Sequence, residues 1–271
     1  MSRDALKVGL AGLGAVGLEV ARRIEVGIPG LALAAVAVRN QDKARRNLPG
    51  AGVRIPIVAA EALAETCDVV VECLPPALFR GVAISVIERG KLFMPLSVGQ
   101  LLENWDLVAL AKDKGARILV PTGGLIGLDA VRAAAEGTIR SVTMVTRKPP
   151  GGLDGAPYLT ARGISLKGLN TARKVFDGSA RDGARGFPQN VNVAAALSLA
   201  GIGPDATRLE IWADPALERN THRIEVDADT ARFSMAIENV PSEENPRTGR
   251  IVALSTVATL RGLVSELRVG T

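Results

Sequence analysis

The hexapeptide GLGAVG at residues 12–17 most limits how this chain can fold. It follows a strand-like segment, residues 7–11, and opens a helix-like one, residues 15–26. In the GxGxxG spacing, Gly12 permits a tight turn, Gly14 lets backbone approach a pyrophosphate, and Gly17 lets helix and strand pack closely. The helix N-terminus then faces the phosphates. The motif therefore predicts a dinucleotide site, and the alternative is a glycine-rich turn with only a structural use.

The first half of the chain alternates strand-like and helix-like segments, a pattern typical of a parallel sheet covered on both faces. The predicted strands are residues 7–11, 33–38, 68–74, 92–97 and 117–121. The predicted helices are residues 15–26, 77–89 and 101–114. We therefore expect an α/β fold that begins with a doubly wound dinucleotide-binding domain at residues 1–121.

The pattern changes after residue 138, where short and partly alternating strands enclose one helix-like insert, NVNVAAALSLAGI. This order predicts a second, α+β domain at residues 122–241, with a mostly antiparallel sheet open to solvent or to a partner subunit on one face. Residues 242–271 then hold an apolar helical stripe. Its members are Ala253, Val257, Leu260, Val264 and Leu267. We expect this last helix to return to the first domain.

Composition excludes several classes of protein. The chain has 271 residues, enough for about two domains of ordinary size. It contains no apolar run long enough for a membrane span, and its polar start passes directly into a strand pattern, so we expect a cytoplasmic protein with no membrane partner. Cys67 and Cys73 are its only cysteines and have no metal-ligand spacing, so we expect no disulfide framework and no metal.

The net charge of +5 is spread along the chain, and aromatic residues make up only 3% of it. Nucleic-acid binding sites usually concentrate basic residues and, for single strands, aromatic stacking platforms. The charge therefore favours small anionic ligands, and we expect no nucleic-acid partner.

Arg39 stands where a dinucleotide site usually reads the adenosine ribose. It lies 39 − 17 = 22 residues beyond Gly17, and Asn40 follows it in place of an acid. An acid there binds the 2′-hydroxyl of NAD, whereas a guanidinium offers a charge-assisted fork to the 2′-phosphate of NADP. The position predicts that NADP is accepted, alongside NAD, unless Arg39 is only a solvated loop cation.

Three further segments carry candidate site residues. In PTGGLIGLDAV, Gly124 offers bare backbone just past a strand end, and in FPQNVNVAA, Asn190 and Asn192 precede a helix as ligand contacts or as caps. His222, the one histidine of the chain, stands at the start of a predicted strand. A dehydrogenase needs a group that donates or accepts a proton beside hydride transfer. The alternatives to His222 are Lys148, Lys167 and Tyr158.

Seven stretches together resemble a known family, in the same order and across nearly the whole chain. They are GLGAVG, VVVECLPP, PTGGLIGLDAV, KPP, FPQNVNVAA, ADPALERNTHRI and IENVPSEENPRTGRIVALSTVATLRGL. The chain resembles the L-aspartate dehydrogenases. The resemblance implies a Rossmann domain and an α+β substrate domain that also forms a homodimer. It further implies the reversible, NAD- or NADP-dependent conversion of L-aspartate to oxaloacetate and ammonia through iminoaspartate, which could feed pyridine nucleotide biosynthesis.

Residue by residue, the resemblance places the family's catalytic histidine at His222. The small cofactor-contacting residue falls on Gly124, where many members carry alanine, and the cofactor-contacting asparagine falls on Asn192 or Asn190. The two substrate carboxylates also need cationic or N–H donors, which we expect from Lys148 or from backbone near Asn190 and Gly124. Two other readings of the same fold stay open at this point: a reductase of the dihydrodipicolinate reductase type, and a non-catalytic NAD(P)-binding sensor.

Overall fold

A computed structural model describes residues 4–48, 55–188, 191–243, 245 and 248–270. The chain divides into two compact units. The first comprises Met1–Pro121 and Ala253–Arg268, and the second comprises Thr122–Val252 and Val269–Thr271. The C-terminal segment that we predicted as one piece, residues 242–271, is thus shared between the two units.

The first unit is built on a five-stranded parallel sheet in the order β2-β1-β3-β4-β5. The strands are β1 (Leu6–Ala11), β2 (Leu31–Ala37), β3 (Val69–Glu72), β4 (Leu92–Pro95) and β5 (Arg117–Ile118). The strand order reverses at β1, with β2 on one side and β3 on the other. The predicted doubly wound sheet is confirmed, and ligands of such sheets bind at the carboxyl ends of the strands where the order reverses.

In the described residues of the first unit, six helices lie between its strands. They are α1 (Ala15–Gly27), α2 (Gln41–Asn47), α3 (Leu63–Thr66), α4 (Pro76–Glu88), α5 (Val98–Glu103) and α6 (Asp106–Lys114). The prediction of a single helix over residues 101–114 is wrong, because the helix is interrupted between α5 and α6. Asn104 leaves helical geometry there and its side-chain amide donates to the carbonyl of Gln100, 2.8 Å away. An asparagine that bonds nearby backbone favours a helix end over a helix interior.

The second unit contains a mixed five-stranded sheet in the order β10-β9-β6-β8-β7. Its strands are β6 (Ile139–Lys148), β7 (Arg173–Ser179), β8 (Arg208–Ala213), β9 (Thr221–Ala228) and β10 (Arg232–Glu238). The predicted, mostly antiparallel arrangement is confirmed, and β6 with β8 is the one parallel pair. The helices of this unit are α7 (Leu128–Ala135), α8 (Pro157–Ala161), α9 (Ala180–Gly186) and α10 (Asn192–Ala200).

The last helix, α11 (Ile251–Val264), supplies part of the core of the first unit. Ala253, Val257 and Leu260 are buried in the same apolar cluster as residues of β1, β2 and α1, and Val264 packs against that cluster. The return of this helix to the first domain is therefore confirmed. Leu267 departs from the prediction, because the helix has already ended and its side chain is 77% exposed. No helix in the described part of the chain is both long and apolar enough to cross a membrane.

Candidate active site

The glycine turn after β1 has the close packing that the GxGxxG spacing predicts. Gly12 has φ +102°, and a Cβ there would lie 2.5 Å from the carbonyl oxygen of Cys73. A Cβ at Gly17 would overlap the carbonyl oxygen of Gly12. A side chain at either position would therefore push the turn away from β3 or from α1.

Gly14 differs from the other two glycines because the space beside it is open. Apart from Gly14 itself and its two neighbours in the chain, no atom of the described residues lies within 4 Å of where its Cβ would be. It caps the N-terminus of α1, whose first turn contains no acidic residue, and no side chain bonds to the cap. Bare backbone, open space and first-turn N–H groups that have no acceptor within the helix fit the pyrophosphate of a dinucleotide. The first unit thus carries a cradle of the right chemistry for NAD or NADP.

Arg39 lies close to this turn because it follows β2, and the end of β2 is hydrogen-bonded to the turn. The backbone N–H of Gly12 donates to the carbonyl of Ala37, the last residue of β2, at 2.8 Å, and Arg39 follows two residues later with an exposed side chain. The side chain of Asn40 accepts from the N–H of Lys43 and caps α2, so no carboxylate occupies this strand end. A guanidinium here is available to a ribose or its phosphate. The role of Arg39 stays a prediction.

Glu72 is a buried residue at the same sheet edge that our sequence reasoning did not single out. It ends β3 with 0% exposure. Its carboxylate accepts from the N–H of Leu74 at 2.7 Å, and from the N–H and the hydroxyl of Ser97 at 3.0 Å each. Burial raises the pKa of Glu72 although these hydrogen bonds oppose the rise. One carboxylate therefore ties together the loops that follow β3 and β4.

Cys73 follows Glu72 and packs against the core cluster of the first unit. Burial and the neighbouring Glu72 charge raise the pKa of its thiol. A thiol that keeps its proton is a poor nucleophile, so Cys73 acts here as a small apolar side chain.

In the second unit, His222 lies in a buried polar group at one end of the sheet. It is 4% exposed and stands directly across from Thr146 in the antiparallel pair of β9 and β6. The hydroxyl of Thr146 is hydrogen-bonded to Nδ1 of the imidazole. Lys148, two residues further along β6, shares this sheet face and is also 4% exposed. The structure therefore brings together two residues predicted from the sequence and adds Thr146 to them.

The environment keeps His222 neutral near pH 7. Burial, together with the positive charge of Lys148, lowers the pKa of His222 from its ordinary 6.5 to about 3. Desolvation disfavours the imidazolium, and a cation nearby disfavours it further. A bound dianion would partly cancel the effect of Lys148, so the protonation of His222 should respond to a dicarboxylate ligand.

Gly124, Asn192 and a third residue, Asn239, lie together in the second unit. A Cβ at Gly124 would stand 3.3 Å from the side chain of Val193, the residue after Asn192, and 3.8 Å from Nδ2 of Asn239. Nδ2 of Asn239 donates to the carbonyl of Gly124 at 3.0 Å. The backbone N–H of Asn239 donates to the carbonyl of Asn220, two residues before His222, at 2.9 Å.

Asn239 thus connects the Gly124 turn to the end of the sheet that holds His222. Its Oδ1 is buried and has no hydrogen-bond partner within the described ranges. The other predicted asparagine, Asn190, lies outside the described residues.

The two remaining candidates for proton transfer, Lys167 and Tyr158, have surroundings that differ from those of His222. Lys167 is exposed, and Tyr158 packs against Phe176 and Phe187 with the guanidinium of Arg162 over its ring.

In the part of the chain that the structure describes, no group of three or more His, Cys, Asp or Glu side chains could hold a metal ion.

Comparison with known proteins adds family evidence to this geometry. Residues 129–263 match the family model described as aspartate dehydrogenase, C-terminal, and residues 12–121 match the NAD-binding domain of homoserine dehydrogenase. The chain is 53% identical over 266 residues to an L-aspartate dehydrogenase of Bradyrhizobium diazoefficiens, covering 98% of this chain and 94% of that one. It is 49% identical to L-aspartate dehydrogenase 3 of Bordetella bronchiseptica, covering 100% and 99%.

A solved structure shares the whole fold at lower sequence identity. The crystal structure of aspartate dehydrogenase from Thermotoga maritima superposes with a TM-score of 0.73 at 22% identity, covering 98% of this chain and 99% of that one. At this identity the match concerns the fold alone, and it extends over both units.

Proposed function

The chain belongs to the L-aspartate dehydrogenase family, and we propose that it interconverts L-aspartate with oxaloacetate and ammonia through iminoaspartate, using NAD or NADP. The observation that carries the site assignment is the buried group of His222, Thr146 and Lys148 at one end of the second sheet. It combines a neutral imidazole with a cation, which are the two kinds of group that a dicarboxylate substrate and its proton transfers require.

The first unit holds the cofactor in this proposal. Gly12 and Gly17 keep the turn tight, and Gly14 with the N-terminus of α1 receives the pyrophosphate. Arg39 receives the ribose or its 2′-phosphate, which allows NADP as well as NAD. When bound, the nicotinamide exchanges hydride with the substrate carbon that carries the nitrogen. Gly124 and Asn192 are proposed as further cofactor contacts, together with Asn190.

His222 exchanges protons with the substrate. In the direction of amination, it donates to the oxygen of the oxo acid, which becomes the hydroxyl of the carbinolamine and leaves as water when the imine forms. In the direction of deamination, it takes a proton from the water that attacks iminoaspartate. These are the same transfer in opposite directions. Near neutral pH the depressed pKa keeps the ring uncharged, so it can accept a proton.

Lys148 binds a substrate carboxylate. Lys148 is buried, and it is close enough to His222 for its charge to lower the pKa of the imidazole. The attraction between a cation and a carboxylate is strong in such a weakly screened environment. The carboxylate also offsets the repulsion between Lys148 and a protonated His222. Substrate binding thereby raises the pKa of the imidazole at the stage where it must carry an extra proton.

We also propose a cytoplasmic homodimer. The side chains of Arg223, Glu225 and Asp227 alternate along β9 on the exposed face of the second sheet, opposite the face that buries His222. A sheet face of this kind is open to a second copy of the chain. Light scattering tests the dimer directly, and a mass equal to one chain would contradict it.

The site assignment is tested by replacing His222. We expect His222→Ala to lower kcat by about 100-fold or more, because general acid–base catalysis contributes on that scale, while the dissociation constant for NADPH stays within about twofold. Lys167→Ala is the matched control, since Lys167 is the exposed alternative proton donor, and it should keep the activity. A His222→Ala enzyme with near-normal kcat would refute the role of His222.

A further inference from the structure

We infer that Thr146 is the positioning residue for His222: its hydroxyl donates to Nδ1, holds the resting ring in the Nε2–H tautomer, and leaves Nε2 to meet the substrate. This rests on the proposed function, since it assigns a partner to the proposed proton-transfer residue. Neither the family comparisons nor the sequence patterns single out Thr146.

The strand register places the two side chains against each other. Thr146 on β6 and His222 on β9 are directly opposite in an antiparallel pair, and both point to the buried face. Residues opposite each other in such a pair have Cβ atoms about 5 Å apart, within reach of a short side chain. Thr146 is 1% exposed and β-branched, so its χ1 angle is restricted. The hydroxyl is therefore held in place by the strand.

The choice of tautomer follows from the hydrogen-bonding capacity of both groups. A hydroxyl has one proton to donate, and a neutral imidazole has one N–H and one acceptor nitrogen. Among the described residues, Nδ1 of His222 is the one partner of the Thr146 hydroxyl, and Nε2 has none. If Nδ1 carried the ring proton, the buried hydroxyl proton would lack an acceptor. If Thr146 donates to Nδ1, the hydroxyl proton has an acceptor and the lone pair of Nδ1 has a donor. The ring proton then lies on Nε2.

This arrangement gives His222 a defined task in each direction. The Nε2–H is a fixed donor for the oxygen of an oxo acid, and a neutral imidazole can polarise a carbonyl in this way. For proton transfer the ring first takes up a second proton at Nδ1 from solvent, once the bound dicarboxylate has raised its pKa. Nε2 of this imidazolium then gives its proton to the oxygen that leaves as water, and in the reverse direction the neutral Nδ1–H ring takes a proton from water at Nε2. In this neutral ring the remaining proton lies on Nδ1. The Thr146 oxygen can then accept it, because a hydroxyl both donates and accepts. Thr146 therefore supports Nδ1 throughout the exchange.

Nitrogen NMR of the free protein tests the inference without any turnover. Because His222 is the only histidine, protein made with [¹⁵N]histidine shows one pair of ring nitrogens. We expect Nδ1 to resonate as a pyridine-like nitrogen and Nε2 as a pyrrole-like one at pH 7. Thr146→Val removes the hydroxyl with little change of shape and should shift Nδ1, whereas Thr146→Ser should restore the wild-type pattern.

Kinetics supply the second readout. Thr146→Val should lower kcat by about tenfold, the usual scale for one lost hydrogen bond, with the NADPH dissociation constant unchanged and with recovery in Thr146→Ser. A pyrrole-like Nδ1 in the wild type, or a Thr146→Val spectrum identical to it, would overturn the inference. The wild-type spectrum decides the tautomer even if the valine variant does not fold.

The two proposals fail separately. If His222→Ala keeps its activity, the catalytic role of His222 is lost, while the nitrogen spectrum still reports whether Thr146 donates to Nδ1. If the spectrum shows a protonated Nδ1 while His222→Ala is inactive, the catalytic role stands and the inference about Thr146 is wrong.

Discussion

Acidification should destabilise this protein through His222. The native imidazole has a pKa of about 3, whereas the unfolded chain titrates near 6.5. The native pKa is lowered, so the native state binds fewer protons than the unfolded state between these values. The stability linked to His222 is complete above pH 6.5 and is lost progressively as the pH falls toward 3.

The size of this effect follows from the difference in proton binding. Each pH unit between the two pKa values changes the free energy of unfolding by about 1.4 kcal/mol. From pH 7 to pH 5, the unfolded histidine becomes almost fully protonated while the native one stays neutral. The loss is about 2 kcal/mol from this one residue.

Urea denaturation at pH 7 and pH 5 measures the loss. The matched control is His222→Gln, which has no titrating group at this position but retains Glu72 and every other titrating group. We expect wild type to lose about 2 kcal/mol more than the variant over this interval. Equal losses in the two proteins would refute the argument, because they would mean that the native imidazole titrates as freely as the unfolded one.

Four further predictions concern the first unit and the Gly124 turn. Arg39→Gln should weaken NADPH binding by about 10-fold or more, with little effect on NADH, as measured by fluorescence titration; equal weakening of both would contradict the 2′-phosphate contact. Glu72→Gln should lower the free energy of unfolding by about 1–3 kcal/mol in urea, because an amide N–H₂ must face a donor of the Leu74 or Ser97 group. Gly14→Ala should fold normally but bind NADPH more weakly, whereas Gly17→Ala should lower the melting temperature, since only the second Cβ meets backbone. Gly124→Ala should keep kcat within about threefold, because its nearest contact of 3.3 Å requires only a small shift; a larger loss would show that the turn cannot adjust.

Sequence patterns were sufficient for features that depend on local spacing. Gly12 and Gly17 predicted the tight turn that the structure shows, because glycine stands where a Cβ cannot fit. The alternation of strands and helices predicted the parallel sheet and the mostly antiparallel second sheet. The helical stripe correctly placed Ala253, Val257 and Leu260 in the core, but it continued to Leu267 because periodicity alone does not show where a helix ends.

The parts that the sequence did not reveal depend on pairing between distant segments. Thr146 reads as an ordinary strand residue in VTRK, and it meets His222, 76 residues away, only through the register of β6 and β9. Glu72 reads as the end of an apolar strand, and its hydrogen bonds with Ser97 cross from β3 to the loop after β4. Asn239 lies in IENVPSEENPRTGRIVALSTVATLRGL, where the sequence assigns it no role, and it contacts Gly124 from 115 residues away. A strand pattern specifies which residues alternate, but it does not specify the partner strand or its register.

The most direct test of the central claim is the oxidation of NADH and NADPH by the purified protein with oxaloacetate and ammonia. Other 2-oxo acids and ammonia-free reactions are the controls, and the product is identified as L-aspartate. We predict turnover that requires oxaloacetate and ammonia together and that is lost in His222→Ala. Reduction of oxaloacetate without ammonia, or cofactor binding with no turnover of any oxo acid, would contradict the proposed reaction.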